Sequence, residues 1–438
     1  MLTPIFDFSS NSVLLYSGLV SVKRNKKKYD AIGKIKLNFL PKAKVVINTE
    51  FGDPHLSGVL RDNKVEFFIN QQLIDVFAIS EAPQFLASPF VLKIDWVAKS
   101  NSIQIILDRR KKAKKIIFHI FNFMNFRGVD SFTQLYNGTM YRLAYIDLKW
   151  KTFNIKIQSL PSTSDNIQYL KENSGYKITQ VGSIEKQNGL ISNEEQENLE
   201  LALRYFLSFA KGSWISPTCL VGIAKTEEDI WYSFNSPNTD WKSLKSWFDP
   251  LHTSSLVEFF PLFMNLWDSE RWKDTFKEVI YWFLNANDGA RGVDTGLILT
   301  QTALERLSFE YVVYEKKLLS TKGFKDIWAS DKFRILFSSL NLPLDIPSSL
   351  SALSKKAKEY NWLDAPHALT EIRNSLVHPE HKKHGKFETD IFIEAHTLSL
   401  WYLEMSILAI CKFNGVYSNR LVSNKFVGTV ENVPWIHS

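Results

Sequence analysis

Residues 371–379 read Glu371-Ile372-Arg373-Asn374-Ser375-Leu376-Val377-His378-Pro379, an Arg-Asn pair with a histidine five positions after the arginine. Asp364 is a natural N-cap, Pro366 suits a first helical turn, and Ala368, Leu369, Ile372, Leu376 and Val377 supply an apolar stripe. Residues 365–378 are therefore predicted as one short helix. A residue before proline is disfavoured in the α region, which puts His378 at the helix end beside a loop. At about 100° per residue, Glu371, Asn374 and His378 share a face, and Arg373 flanks it. These residue types suit phosphodiester chemistry. Histidine titrates near neutrality and can carry a proton, while arginine stays charged and grips phosphate oxygens with a planar fork. An exposed arginine and a solvated histidine at the negative end of a helix dipole would look the same in isolation, so the flanking segments decide.

Upstream, Asp294 or Thr295 is expected to cap a long helix in which Leu297, Ile298, Leu304, Leu307, Tyr311 and Tyr314 recur at helical spacing. Downstream, Ile391 to Phe413 is apolar nearly all round (Ala395, Leu398, Leu400, Trp401, Leu403, Met405, Ile407, Leu408, Ile410) and is expected to stop at Asn414-Gly415. Such a helix must be buried. The order is a long helix, shorter helices over 324–360, the motif helix, and a long buried helix.

This arrangement resembles the HEPN superfamily, whose ribonucleases carry an arginine, commonly a polar residue beside it, and a histidine after four to six intervening residues. The resemblance covers roughly 290–415 and carries over Arg373, Asn374 and His378 alone. It implies a helical bundle with the motif helix against the terminal helix, and a homodimer whose two motif helices build composite clefts. It also implies metal-independent RNA cleavage by 2′-hydroxyl attack, leaving 2′,3′-cyclic phosphate ends. On that reading His378 transfers the proton, Arg373 clamps phosphate and Asn374 orients one of them, with Glu371 as an assisting acid; Glu305 and Glu310 are other candidates. No metal or other cofactor is expected.

Composition fits a globular chain of more than one domain: 438 residues, 45% hydrophobic and 14% aromatic. The net charge is +7 and the pI about 9.0, with bases clustered at Lys23–Lys28, Arg109–Lys115 and Lys382, Lys383 and Lys386. The last cluster, with His381 and His384, would form a basic lip that collects RNA beside the candidate histidine. The His378, His381 and His384 spacing could also suggest a metal, but the run starts at His-Pro and crosses a lysine-rich loop, a poor scaffold for ligands. The clusters at 23–28 and 109–115 serve equally well as solubilising hairpin tips. Cys219 and Cys411 lie far apart in apolar surroundings and are expected to be buried thiols of a cytoplasmic protein. No secretory signal pattern is present, and the apolar stretch 398–413, interrupted by Glu404 and Lys412, is too short for a membrane span. The chain has no GxxxxGK[ST], no GxGxxG after a strand and no GxSxG, so nucleotide-driven motors, Rossmann cofactors and serine hydrolysis are unsupported.

Before residue 290 the texture changes. Short β-rich runs from Val13 to about Gln158 predict a sandwich or barrel-like domain. A strand at 176–184, a helix from 193 to 211 opened by a capping box at Ser192, a strand pair over 214–234 and helices over 256–286 follow. The tryptophans 231, 241, 247, 267, 272 and 282 crowd this middle stretch and read as core more readily than as a base-stacking platform. The expected class is thus α+β and multidomain, with a β-rich domain over 1–160, a mixed middle region over 161–290, the helical bundle over 291–415 and a tail over 416–438. The layout is similar to bacterial antiviral proteins of the ApeA-like abortive-infection type. That likeness implies a restrained effector cutting tRNA or other cellular RNA under a phage-derived trigger or an antitoxin. Two other readings fit the same residues: a non-catalytic HEPN-like module that dimerises or docks an antitoxin, and a nucleic-acid-binding protein without catalysis.

Overall fold

Three layers stack along the molecule: a sheet, a second sheet, and helices. The computed structural model describes all residues except 1, 53–64, 85–90, 100–101, 109, 129, 137–138, 238, 291, 379–386 and 437–438. The first layer is antiparallel and contains β1 (Ser12–Arg24), β2 (Lys27–Asn38), β3 (Lys44–Phe51), β4 (Glu66–Ile69), β5 (Gln72–Ile74), β6 (Val76–Gln84) and β7 (Val91–Ala98), in the order β5-β4-β1-β2-β3-β7-β6. Period-two patterning builds it. In β2, Ala31, Gly33, Ile35 and Leu37 are buried while Ile32 and Lys34 are exposed. The β1–β2 turn places Asn25 and Lys26 at φ 48° and 63°, the left-handed pair that a tight hairpin needs.

The second layer takes β8 (Ser102–Ile106), β9 (Lys115–Phe121), β10 (Asp130–Tyr136), β11 (Thr139–Trp150) and β12 (Phe153–Ser159). After helix α1 (Thr163–Asn173) come β13 (Ile178–Lys186), helix α2 (Asn193–Lys211), β14 (Thr218–Ile223) and β15 (Asp229–Asn235). Its order is β10-β11-β12-β13-β9-β14-β15-β8. Both faces of this sheet are covered. Ile117, Phe121, Val181, Cys219 and Phe234 join the core shared with the first sheet, whereas Ile116, Phe118, Ile120, Ile155 and Ile184 join the core under the helices. The near-continuous apolar run Lys115-Ile-Ile-Phe-His-Ile-Phe121 is the sequence counterpart of that double burial. Gly182 lies under the Phe118 ring, and a Cβ there would stand 2.2 Å from Phe118 Cζ.

The helical layer comprises α3 (Ser254–Trp267), α4 (Glu270–Asn287), α5 (Val293–Ser308), a π-helical continuation at Phe309–Glu315, α6 (Thr321–Asp326), α7 (Ala329–Ser339), α8 (Ser351–Tyr360), α9 (Ala365–Val377) and α10 (Thr389–Ile410). Short strands β16 (Val416–Tyr417) and β17 (Glu431–Asn432) pair after it. No helix among the described residues is long and apolar enough to cross a membrane. Cys219 and Cys411 are buried thiols.

The α+β layout, β-rich first and helical last, matches the sequence expectation, but the expected borders do not coincide with structural breaks. The border at 160 falls inside the second sheet, between its strands β12 and β13. The border at 290 is a turn between α4 and α5, and one apolar cluster runs from Ala113 to Val433 across it. The segment after 415 is not a loose tail. Arg420 is buried and reaches Glu404 of α10 (Nε to Oε2, 2.7 Å), Asn287 Oδ1 (3.2 Å from Nη2) and the Lys245 carbonyl (3.3 Å). Two expected caps also move. Gly292, rather than Asp294 or Thr295, is the N-cap of α5. α10 stops before Asn414-Gly415: Lys412 takes φ 60°, and Phe413 N bonds Leu408 O while Lys412 N bonds Ala409 O, a Schellman closure.

Candidate active site

α9 forms where its pattern places it. Asp364 caps it by accepting from His367 N (2.9 Å), Pro366 occupies the first turn, and Ala365, Ala368, Leu369, Ile372 and Ser375 are buried. Two neighbours fix its position. Arg334 of α7 holds Asp364 through both carboxylate oxygens, Nε to Oδ2 at 2.6 Å and Nη2 to Oδ1 at 3.0 Å. The fork geometry makes this clamp directional, and the carboxylates of Asp364 and Asp331 hold the Arg334 pKa above its ordinary value. Buried Gln301 of α5 donates from Nε2 to Leu369 O at 2.6 Å. The amino-terminal half of the helix is thus anchored while the motif half approaches the surface.

At that end Glu371, Arg373 and Asn374 are half-buried and His378 is exposed. His378 is the C-cap at φ −112° and ψ 108°, and its backbone N donates to Asn374 O at 3.0 Å. Arg373 Nη1 donates to Asn374 Oδ1 at 3.4 Å, so the adjacent pair is in mutual reach at the helix end. The expectation of a histidine at the end of this helix corresponds to the C-cap position of His378. Chemically, a forked cation and a titratable ring at one solvent-facing helix end are suited to a phosphate and a mobile proton.

The other expected site residues divide. Lys382, Lys383, Lys386, His381 and His384, the basic lip, lie outside the described residues. Glu305 is engaged by Lys332 (2.7 Å), and buried Glu310 by Arg306 (3.1 Å) and Arg271 (3.5 Å), which commits both to ion pairs among the helices. The cluster at 109–115 is largely spent internally: Lys115 pairs with Glu185 (3.0 Å), Lys114 donates to Lys186 O (2.8 Å), and Lys111 pairs with Glu228. Trp231, Trp241, Trp247, Trp267 and Trp272 are buried, which makes them core. Among the described residues no three His, Cys, Asp or Glu side chains converge as metal ligands.

One polar group lay outside the sequence reading. Glu200 and Arg204 on α2 line a cavity of about 310 Å³ at the edge where β15 meets β8. Burial raises the Glu200 pKa to about 7. In sequence these residues look like an ordinary i,i+4 surface pair, so only their packing distinguishes them.

Residues 108–243 match the family model of the YopA central domain, and residues 269–431 match that of the YopA C-terminal domain. The second span contains Arg373, Asn374 and His378. The chain is also similar to the SPbeta prophage-derived uncharacterized protein YopA of Bacillus subtilis (strain 168), at 28% identity over 436 residues, covering 97% of this chain and 95% of that protein. No solved structure matches. None of these descriptions names a ribonuclease, so a catalytic reading rests on the residues themselves.

Proposed function

We propose that this protein is a metal-independent endoribonuclease of the HEPN type, acting as a homodimer through its helical layer on tRNA or another cellular RNA. The observation that carries the reading is the placement of Arg373, Asn374 and His378 at the exposed end of a helix whose other end is clamped by Arg334 and Gln301. A rigid base with an accessible tip holds reacting groups in place without further ordering. In the proposed step His378 accepts the 2′-hydroxyl proton, and the 2′-oxygen bonds to phosphorus as the bond from phosphorus to the 5′-oxygen breaks. The leaving 5′-oxygen takes a proton from water, His378 returns the proton it accepted to solvent, and a 2′,3′-cyclic phosphate remains. Arg373 supplies charge-assisted hydrogen bonds to the non-bridging oxygens, where negative charge builds. Asn374, in reach of Arg373, orients its fork.

The prophage origin of the relative is compatible with a role in conflict between phage and host. On this reading the chain is a restrained effector of antiphage defence in the cytoplasm, and the two-sheet portion carries the restraint or the trigger contact.

The test is cleavage of total cellular RNA in EDTA by purified wild-type, Arg373→Ala and His378→Ala proteins, with product ends mapped. Cutting by wild type alone, with cyclic phosphate ends, supports the reading. Equal cutting by His378→Ala overturns it. A folded wild-type dimer that retains RNA in a salt-sensitive way but never cuts it, even in phage-infected extract, favours the binding reading instead.

A further inference from the structure

The cavity on α2 lies away from α9 and has its own chemistry. Its lining includes Glu197, Glu200 and Arg204 from α2, with Ser216, Asn235 and Ser236. Glu200 and Arg204 are four residues apart on one helical face, the spacing at which a carboxylate and a guanidinium commonly join. Here no ion pair within 4 Å joins them among the described residues. Instead Glu200 accepts from Gln196 Nε2 at 2.9 Å, and the Arg204 guanidinium lies 4.8 Å over the Trp214 ring. Arg204 Nε is buried and has no hydrogen-bond partner. A buried donor left unsatisfied costs about 1–3 kcal/mol; Nε has no exposed surface, so a ligand acceptor would meet this guanidinium at its terminal N–H groups. Asn235 is already committed, accepting from Cys219 N (2.9 Å) and donating to Pro217 O (3.0 Å), so it shapes the wall.

Charge narrows the ligand. A simple anion would meet the Glu197 carboxylate, and a simple cation would meet Arg204. A neutral group that offers an acceptor to Arg204 beside a donor to Glu200 satisfies both. The lactam edge, an N–H next to a carbonyl, has that pattern, and it is shared by guanine and uracil. A volume of about 310 Å³ is at the small end of ligand sites, which suits a single nucleoside. We infer that this cavity is a nucleoside-binding site that reads the lactam edge of guanine or uracil through Glu200 and Arg204. It is independent of the ribonuclease reading.

The experiment is calorimetric titration of the full chain with guanosine, uridine, adenosine and cytidine, and with 1-methylguanosine and 3-methyluridine, in which the lactam N–H is blocked. Saturable binding of guanosine or uridine is expected, weakened at least tenfold by the methyl group and to a similar extent in Glu200→Gln and Arg204→Lys. Adenosine and cytidine should bind at least tenfold more weakly than the preferred nucleoside. His378→Ala protein should bind as wild type does, which separates this site from α9. The methylated ligands need no variant, so a folding defect cannot mask the answer. The inference is overturned if neither guanosine nor uridine binds folded wild type with a Kd below about 1 mM, or if the methylated nucleosides bind as well as their parents.

Discussion

Breaking the Arg420–Glu404 pair should be among the costliest single changes in the chain. Glu404 is 0% exposed and Arg420 4%, so neither charge has water to fall back on. Their contact is two-pronged, Nε to Oε2 at 2.7 Å and Nη2 to Oε1 at 2.5 Å, and the same guanidinium reaches Asn287 and the Lys245 carbonyl. Glu404→Gln keeps the shape and removes the charge, leaving a guanidinium buried without its counter-ion. Removing one member of such a pair costs about 3–5 kcal/mol. Glu404→Leu combined with Arg420→Met removes both charges, and what remains lost is the donation to Asn287 and Lys245, at about 1 kcal/mol per bond. The double variant should therefore fall only about 2 kcal/mol below wild type, less than the Glu404→Gln single, although it changes twice as many residues. Urea unfolding followed by tryptophan fluorescence measures this, and protease sensitivity of the segment after 411 reports whether the loss is local. A Glu404→Gln loss under about 1 kcal/mol, or a double variant as costly as the sum of its singles, would refute the reasoning.

Four further outcomes are expected. His119 is fully buried, accepts from Ile5 N at 3.1 Å, has Nδ1 3.0 Å from Cys219 O, and burial lowers its pKa to about 4. The unfolded chain binds the extra proton between about pH 6.5 and 4, so this contribution is complete above the upper value and is lost as pH falls toward the lower. A gap of roughly 2.5 pH units at ~1.36 kcal/mol each sets a ceiling of about 3.4 kcal/mol, and His119→Gln should flatten the acid limb of a stability-against-pH curve. Gly182→Ala forces a methyl into the Phe118 ring and should lose about 1–3 kcal/mol by chemical denaturation, despite alanine's lower backbone entropy. Arg334→Ala should release the first turn of α9, seen as faster amide exchange at His367 and Ala368 and a stability loss of about 1.5–3 kcal/mol for charged hydrogen bonds. His378→Ala should leave the melting temperature within the effect of about 0.5 kcal/mol, as expected for an exposed position, and under the proposed function it should abolish the RNA cleavage expected of wild type.

Local features of this chain were legible because local chemistry fixes them. The capping box at Ser192 and Glu195, the span of α9 and its Asp364 cap, and the alternating strands of the first sheet all follow from short-range rules. What escaped depends on partners far away in sequence. The run 115–121 reads as a buried strand but cannot say that its two faces serve different cores, and that is why residue 160 looked like a border. Helix α1 has a weak apolar stripe, Ile167 and Leu170, that only packing completes. Lys412 holds a left-handed cap although Gly415 is close by, because the burial of Phe413 sets where the helix must stop. Of the candidate site, Arg373, Asn374 and His378 were visible as a spacing on a predicted helix. The separation of Glu200 from Arg204 was invisible, because the same letters usually denote a closed surface pair.

The doubly covered sheet has a consequence for synthesis. Its central strand β9 emerges early, yet its neighbours β13 and β14 come only at 178–186 and 218–223, and the helices over its second face run to residue 410. While the ribosome translates the intervening stretch, at about 5–20 residues per second, a nascent chain carries a broad apolar surface with no cover. High contact order of this kind folds slowly and invites misassociation. Premature termination anywhere before α10 should therefore yield an aggregating fragment, because the apolar second face of the sheet would never receive its helical cover.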